Sequence, residues 1–268
     1  LMTNLNCFVI NLPQDYQKKA HMIAVTKKNG ITPVFIDGIY GADLTNSEIL
    51  QCYSEQQTKK NIGRSLTRGE IGCALSHLSI YKKMLIEEID FALILEDDID
   101  FDFTCKKLQS LVKNLPLDWE CVLLGHHSRF SREQEGIASF WGRKKISVCH
   151  DIVRFADITS GGYAYLINQK GAHKWLQEYK TITKPIDCWV DNKINLYGIS
   201  PTIVNISKEY KLGSLLDNER NREISESNYQ QVKNKTRKIF SPIGLAPLMN
   251  MYFYCRNLCL KIKNLKSY

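Results

Sequence analysis

The sequence lacks the features of several common classes of protein. No uninterrupted apolar run reaches the ~18–20 residues that a membrane-spanning helix requires. The opening residues, LMTNLNCFVINLP, read as a short polar lead into a strand, so we expect no secretory signal there. The nine cysteines include no CxxC pair, and several lie inside apolar runs such as ECVLLG. We therefore expect buried, reduced thiols, which favours a reducing compartment.

Positive charge is what the chain has in excess. Its formal net charge is +8 at pH 7 over 268 residues, of which 44% are hydrophobic and 24% are charged. Such a composition is ordinary for a folded protein with a substantial core. The charge favours acidic partners such as phosphates, nucleic acid or an anionic membrane surface, but no zinc-finger, KH-like or RNP-like signature supports nucleic acid. A solvated basic surface is the competing interpretation.

Short apolar runs alternate with segments of helical pattern along residues 1–206. Strand candidates are 7–12, 33–37, 91–95, 121–125, 163–167 and 202–206, and helix candidates are 14–29, 46–58, 68–88, 104–114, 169–179 and 188–197. Several strand candidates are apolar throughout, which predicts helices on both faces of the sheet. The alternation predicts an α/β fold with a mostly parallel sheet, in which functional sites gather at the carboxyl ends of strands.

The stretch FALILEDDID ends one of these strands with a cluster of carboxylates. Like charges at this spacing repel one another unless a cation neutralises them. Glu96 and Asp98 form an acidic-x-acidic pair suited to Mn²⁺ or Mg²⁺, which take oxygen ligands and bridge to substrate phosphates. Asp97 is expected to contact ribose or sugar hydroxyls, or to support the metal through water. A solvated acidic turn is the alternative, but such a turn needs no buried strand before it.

The segment TRGEIGCALSHLSIYKKML predicts a helix with two distinct faces. Thr67 and Glu70 have capping-box spacing, which marks the start of the helix. Apolar residues then follow at helical spacing, and Glu70, Cys73 and His77 share a different face. His77 is either a polar residue at the edge of the apolar stripe or a contact for phosphate or acceptor.

Six motifs, in this order, resemble glycosyltransferase family 25: FVINLP, VFIDGIYG, RGEIGCALSH, LILEDD, SGGYAYLINQKGAHKWL and PIDCWVD. That family includes lipooligosaccharide galactosyltransferases of Gram-negative bacteria and related collagen galactosyltransferases. The resemblance implies a GT-A-like catalytic domain over residues 1–206, with a Rossmann-like nucleotide-binding sheet. It also implies a divalent metal, a UDP-sugar donor (usually UDP-galactose) and transfer with inversion to a β-linkage. A lipid-linked saccharide of lipooligosaccharide or lipopolysaccharide is the implied acceptor.

The resemblance further implies roles for individual residues. Asp187 is the preferred general base and Asp191 the second choice. These two aspartates share one face if a helix starts after Pro185, and helix capping is the alternative explanation for them. The residues expected to bind the sugar nucleotide are Asn11, Glu70, His77, Asp97, Gly161 and Gly162. Glycines allow backbone to approach a sugar or diphosphate closely, although an ordinary turn also explains them.

Other charged and imidazole side chains give weaker candidates. Lys18 and Lys19 stand where the family tends to have arginines, and they are expected to supply that charge without its forked geometry. His126 and His127 follow a strand and are candidates for a metal shell or a pyrophosphate contact, although adjacent histidines have poor spacing for metal.

The remainder of the chain changes in composition. Residues 207–238 are expected to form a polar loop or lid, in which Lys211, Arg220 and Arg222 would clamp the diphosphate unless they are only a solvated charge run. Residues 239–268 are expected to form a basic amphipathic helical extension that either lies on an anionic membrane surface or packs on the core. We expect a cytoplasmic protein, attached peripherally to the inner face of the bacterial inner membrane.

Two other functions are compatible with the residues. A divalent-metal phosphohydrolase or nuclease would use the same carboxylates, but it usually needs further ligands for a second metal. A non-catalytic basic module would bind anionic lipid or nucleic acid, but it has no need of an acidic pair at a strand end. Both alternatives are weaker than sugar transfer.

Overall fold

Twelve strands and six α-helices make up the part of the chain that the structure describes. The computed structural model describes residues 5–128, 133–189 and 193–210, together with residues 251 and 255. The strands are β1 (Asn6–Asn11), β2 (Val34–Asp37), β3 (Phe91–Glu96), β4 (Ile99–Phe101), β5 (Cys121–Leu123), β6 (His127–Ser128), β7 (Ala138–Lys145), β8 (Asp151–Phe155), β9 (Thr159–Ser160), β10 (Ala164–Asn168), β11 (Leu196–Ser200) and β12 (Val204–Ile206). The helices are α1 (Tyr16–Lys28), α2 (Asn46–Cys52), α3 (Glu55–Ile62), α4 (Arg68–Ile86), α5 (Cys105–Lys113) and α6 (Gln169–Glu178), with a short 3₁₀ turn at Gly41–Asp43.

Eight of the strands form one central sheet in the order β2-β1-β3-β10-β5-β11-β8-β7. β10 and β8 run antiparallel to their neighbours, and the other six strands share one direction. β12 pairs with β4, and β6 pairs with β9, in two small antiparallel sheets. The prediction of an α/β fold with a mostly parallel central sheet is confirmed, and the arrangement is consistent with a GT-A-like fold.

Both faces of the central sheet are buried, because successive residues of a strand point to opposite faces. In β3, Ala92 and Ile94 pack in one apolar cluster with α4 and α6. Leu93 and Leu95 pack in a second cluster with α1 and α5. Burying a Leu or Ile side chain contributes about 1.5–3 kcal/mol, so this double burial is a main source of the sheet's stability. The prediction of helices on both faces is confirmed.

Two helix predictions differ from the structure. The candidate at 46–58 is divided into α2 and α3, because Tyr53 is extended and bridges to Ile182, and the Ser54 side chain caps the start of α3. The candidate at 188–197 is wrong over its described residues, which contain no helix, and Leu196–Ser200 is β11, which pairs with β5 and β8. A short apolar run fits a helix or a strand equally well, and the two neighbouring strands decide the outcome.

Candidate functional site

Three segments that are distant in sequence meet at one edge of the central sheet. β1 ends at Asn11 and the parallel β3 ends at Glu96, so their carboxyl ends lie side by side. β10 runs the opposite way and therefore begins at this edge, where Glu96 N donates a hydrogen bond to Tyr163 O at 2.8 Å. The acidic cluster Glu96–Asp98 and the glycines that precede β10 are thus neighbours, at the kind of edge where α/β proteins bind ligands.

Asp97 is buried and held by two side chains from the β1–α1 segment. Asn11 Nδ2 donates to Asp97 Oδ2 at 2.8 Å, and Lys18 Nζ donates to Asp97 Oδ1 at 3.1 Å. Burial raises the pKa of Asp97, and the Lys18 charge and the Asn11 hydrogen bond only partly oppose this. Burial lowers the pKa of Lys18, but attraction to Asp97 and Asp98 outweighs it and raises the pKa overall. Asn11 and Asp97, both predicted to contact the nucleotide, therefore bind each other, and Lys18 binds Asp97.

Asp98 has a buried carboxylate oxygen, Oδ1, that lacks a hydrogen bond in the described part of the chain. Burial, together with the nearby charge of Glu96, raises the pKa of Asp98 to about 7, and Lys18 only partly opposes this. A buried carboxylate oxygen in this environment is stabilised by a cation. The Glu96–Asp98 pair therefore has a donor set and an unsatisfied oxygen that fit a hard divalent ion.

A chain of buried aromatic side chains stands behind Glu96. His77 is only 1% exposed, and its Nε2 lies 3.6 Å from Glu96 Oε1. On the other side of the ring, His77 Nδ1 is hydrogen-bonded to Tyr165 OH at 2.7 Å, and Tyr165 OH to Tyr81 OH at 2.6 Å. His77 thus lies next to the acidic cluster. Its tyrosine partners were missed from the sequence, where YAYLI indicated only a strand.

Glu70 is held by contacts within the protein at the start of α4. Arg64 donates to both of its carboxylate oxygens at 2.7 Å, and Thr67 N donates to its Oε2 at 3.0 Å. Glu70 N in turn donates to the Thr67 hydroxyl, so the predicted capping box at the start of α4 is confirmed. Because the carboxylate is 98% buried in these contacts, they account for Glu70 without a nucleotide.

The two glycines before β10 have different reasons to be glycine. Gly161 has φ of +121°, and a Cβ there would lie 3.0 Å from both Gly125 O and His126 Cα. Gly162 has no such strain, but a Cβ there would lie 3.2 Å from Asp187 Cβ and 3.7 Å from Glu96 Oε1. Gly162 therefore separates the acidic cluster from Asp187 and keeps the space between them open.

Asp187 lies at this edge, but not on a helix. The segment after Pro185 forms a turn in which Cys188 N donates to Pro185 O at 3.2 Å, so the predicted helix start is wrong. The turn is held by Trp189, whose Nε1 donates to Gly161 O at 2.9 Å. Asp187 is half-buried there. Asp191 lies outside the described residues.

The other candidates from the sequence lie away from the cluster or in structural contacts. His126 is buried, with Nε2 bonded to Ile199 O at 3.0 Å and Nδ1 accepting from Gly136 N at 3.1 Å. Burial lowers the pKa of His126, and with both ring nitrogens engaged it is not a metal or pyrophosphate ligand, which corrects that expectation. Asp100 is exposed and pairs with His21 at 3.2 Å.

The predicted lid and C-terminal segment lie almost wholly outside the described residues. Of 207–238, only 207–210 are described, and Ser207 N donates to Asp98 O at 2.8 Å. Lys211, Arg220, Arg222 and all of 239–268 except Met251 and Cys255 fall in the undescribed part. Among the helices that the structure describes, none has the length and apolar character needed to cross a bilayer.

Comparisons with known proteins agree with the motifs. The chain is 30% identical over 178 residues to human procollagen galactosyltransferase 2, which covers 62% of this chain and 26% of that protein. It is 29% identical over 176 residues to procollagen galactosyltransferase 1-B of Xenopus laevis, covering 63% and 27%. It is 27% identical over 146 residues to the inactive glycosyltransferase 25 family member 3 of Mus musculus, covering 50% and 24%.

The chain thus spans about a quarter of the length of these relatives. The model of glycosyltransferase family 25, described as an LPS biosynthesis protein family, matches residues 4–190. This match includes the acidic cluster, the glycines before β10 and Asp187. Because it extends over more than half of the sequence, the chain belongs to glycosyltransferase family 25.

Proposed function

We propose that the chain is a metal-dependent, inverting glycosyltransferase. It moves a hexose, galactose from UDP-galactose, to a lipooligosaccharide or lipopolysaccharide acceptor in a β-linkage. The observation that carries this proposal is the buried, unpartnered Oδ1 of Asp98 at the ligand-binding edge of the sheet. The similarity to procollagen galactosyltransferases supports galactose as the donor sugar, and membership of a family of LPS biosynthesis proteins supports the acceptor class.

Glu96 and Asp98 would hold Mn²⁺ or Mg²⁺ against the diphosphate of the donor. When bound, such an ion supplies Lewis-acid stabilisation of the negative charge that accumulates on the leaving UDP. Asp97 has a different task in this proposal, because Asn11 and Lys18 already occupy its two oxygens. It keeps the turn after β3 in position, and the positive charge of Lys18 lowers the local repulsion.

Asp187 would act as the general base. It takes the proton of the acceptor hydroxyl as that oxygen attacks the anomeric carbon, while the bond from that carbon to the phosphate oxygen breaks. Attack opposite the leaving group inverts the configuration, and no covalent enzyme intermediate is needed. The position of Asp187 supports this role, because it lies close to the acidic cluster: a Cβ at Gly162 would be 3.2 Å from Asp187 Cβ and 3.7 Å from Glu96 Oε1.

A lipid-linked acceptor makes attachment to a membrane surface useful. We propose that the enzyme is cytoplasmic and binds the inner face of the bacterial inner membrane peripherally, through the basic residues of 239–268. Sedimentation of the purified protein with anionic vesicles at low salt tests this. Equal binding to anionic and neutral vesicles would contradict an electrostatic attachment.

The central experiment is a donor screen with Mn²⁺, UDP-sugars and truncated lipooligosaccharide acceptors, read by mass spectrometry. We expect addition of one hexose from UDP-galactose, and loss of metal-dependent turnover in Asp98→Ala. Asp187→Asn should lower kcat about 10²–10⁴-fold, as expected for loss of a general base. The matched control is Asp100→Asn, because Asp100 is an exposed aspartate two positions from Asp98. Release of phosphate without an acceptor product would instead support a phosphohydrolase.

A further inference from the structure

A second group of metal-ligating atoms adjoins the acidic cluster. Cys73 and His77 are four residues apart on α4, so both side chains lie on one face of the helix. Their ligand atoms and a carboxylate oxygen of Glu96, at the end of β3, all lie within 4.8 Å of one another. Asp98 does not belong to this group, which joins one thiol, one imidazole and one carboxylate.

His77 provides an independent reason to expect a ligand here. Its side chain is 1% exposed, yet its Nε2 makes no hydrogen bond within the part of the chain that the structure describes. The nearest acidic atom, Glu96 Oε1, is 3.6 Å away, which is too long for a hydrogen bond. Native proteins rarely leave a buried nitrogen unsatisfied unless the site has another use.

The opposite nitrogen of His77 is oriented as it is in metal sites. A metal-binding imidazole typically donates its other N–H to a fixed partner, which sets the tautomer and the direction of the free lone pair. His77 Nδ1 is 2.7 Å from Tyr165 OH, which is 2.6 Å from Tyr81 OH. If Nδ1 donates to Tyr165 and Tyr165 donates to Tyr81, the lone pair on Nε2 is available on the side of Glu96.

We propose that Cys73, His77 and Glu96 form a zinc-binding site with an open fourth position. A set with thiolate and imidazole favours Zn²⁺ over Mg²⁺ or Mn²⁺, which prefer oxygen ligands alone. On binding, the Cys73 thiol loses its proton to solvent, and the thiolate, the neutral imidazole and the carboxylate each donate one electron pair. Ligand atoms around tetrahedral zinc are separated by roughly 3.3–3.8 Å, so the group needs only a small closure.

Glu96 belongs to both this site and the proposed Mn²⁺ or Mg²⁺ site. Zinc on the α4 side therefore withdraws one carboxylate from the pair that would hold the diphosphate-bound ion. Zinc is thus expected to be an inhibitor of sugar transfer rather than its cofactor, and the two ions compete through a single side chain. The binding assay below contains no nucleotide, so its outcome does not depend on whether the chain transfers sugar.

Titration of the metal-free full chain with Co²⁺, a spectroscopic substitute for zinc, tests the site. We expect one equivalent to produce a thiolate-to-cobalt charge-transfer band in the near ultraviolet, and Zn²⁺ to displace it. Cys73→Ser should abolish the band and weaken zinc binding about tenfold or more, by analogy with losses at supporting residues. Cys149→Ser is the matched control, since Cys149 is an exposed thiol on the β7–β8 turn.

Two results would overturn the proposal: a wild-type chain that shows no charge-transfer band, or a band that persists unchanged in Cys73→Ser. His77→Gln is a second variant, expected to lower cobalt affinity while the thiol remains. If His77→Gln does not fold, as judged by circular dichroism, the comparison of Cys73→Ser with Cys149→Ser decides the question alone.

Discussion

Replacing Asp98 by Asn should stabilise the metal-free protein while it abolishes the metal response. The carboxylate of Asp98 is held at the carboxyl end of β3 beside Glu96 and Asp97, with a buried oxygen that has no partner in the described chain. An amide of the same shape removes the negative charge, and with it the repulsion and the cost of burying that charge. A residue selected only for stability would not be an aspartate at this position.

The magnitude follows from the pKa of Asp98. The pKa rises from its ordinary value of 3.8 to about 7 because of burial and the charge of Glu96. This difference corresponds to at most about 4 kcal/mol, and we expect roughly half, because the side chain is only partly buried and solvent screens its charge. The native state thus binds a proton that the unfolded chain has lost between about pH 4 and 7. The stability of the wild type should therefore fall as pH rises through that range.

Urea unfolding in EDTA measures this effect. The free energy of unfolding of Asp98→Asn should equal that of the wild type near pH 4 and exceed it by about 2 kcal/mol at pH 8. That gain corresponds to a melting temperature about 4–8 °C higher. Added Mn²⁺ should stabilise the wild type at pH 8 and leave Asp98→Asn unchanged. Asp100→Asn, on the exposed side of β4, should have the same pH dependence of stability and the same response to Mn²⁺ as the wild type. If all three proteins have the same pH dependence, the assignment of the unpaired charge to Asp98 is wrong.

Four further substitutions distinguish contacts that stabilise the fold from contacts that serve the site. Gly161→Ala should lower the melting temperature, because its φ of +121° is unfavourable for alanine. Gly162→Ala should leave the melting temperature nearly unchanged but should reduce kcat/KM, because the added methyl group fills the space beside Glu96. Arg64→Ala should lower the free energy of unfolding by about 3–5 kcal/mol, because it removes the cation that binds the buried Glu70 carboxylate. An unchanged urea midpoint would contradict this. Tyr165→Phe should weaken Co²⁺ binding about tenfold or more, since it removes the partner of His77 Nδ1; titration with Co²⁺ measures this, and an unchanged affinity would contradict it.

The sequence predicted those parts of the fold in which local pattern and tertiary context agree. The buried strands β1, β3 and β10 are apolar runs, and the start of α4 carries its own capping box. β8 was missed because a charged residue interrupts it. Arg154 is fully buried, donates to Leu196 O at 2.7 Å and lies 4.2 Å from the centroid of the Tyr197 ring. Both contacts come from the neighbouring strand β11, whose first two residues fall in the predicted helix 188–197, so they could not be foreseen from the sequence.

The candidate site was predictable as a location, but not in its contacts. Carboxylates that follow a buried strand in an α/β protein indicate a ligand-binding edge. In the structure, Glu96, Asp97 and Asp98 lie at that edge, where β3 ends. Their partners come from segments far away in the sequence: Lys18 is 79 residues from Asp97. The strand order has to be known before such partners can be named, because a sequence pattern does not reveal that β1 lies beside β3.

The sheet geometry explains why three consecutive acids differ in their contacts. Side chains alternate along a strand, so Glu96 follows Ala92 and Ile94 to the α4 side, where His77 lies. Asp97 points to the opposite side, where the last residue of β1 and the first turns of α1 supply Asn11 and Lys18.

Asp98 follows the end of the strand, and its Oδ1 makes no hydrogen bond with the described residues. The fold therefore neutralises the middle acid with its own lysine and leaves the two outer acids available for an external cation. A lysine paired with Asp98 instead would satisfy the buried oxygen, and the edge would then have no electrostatic reason to bind a metal.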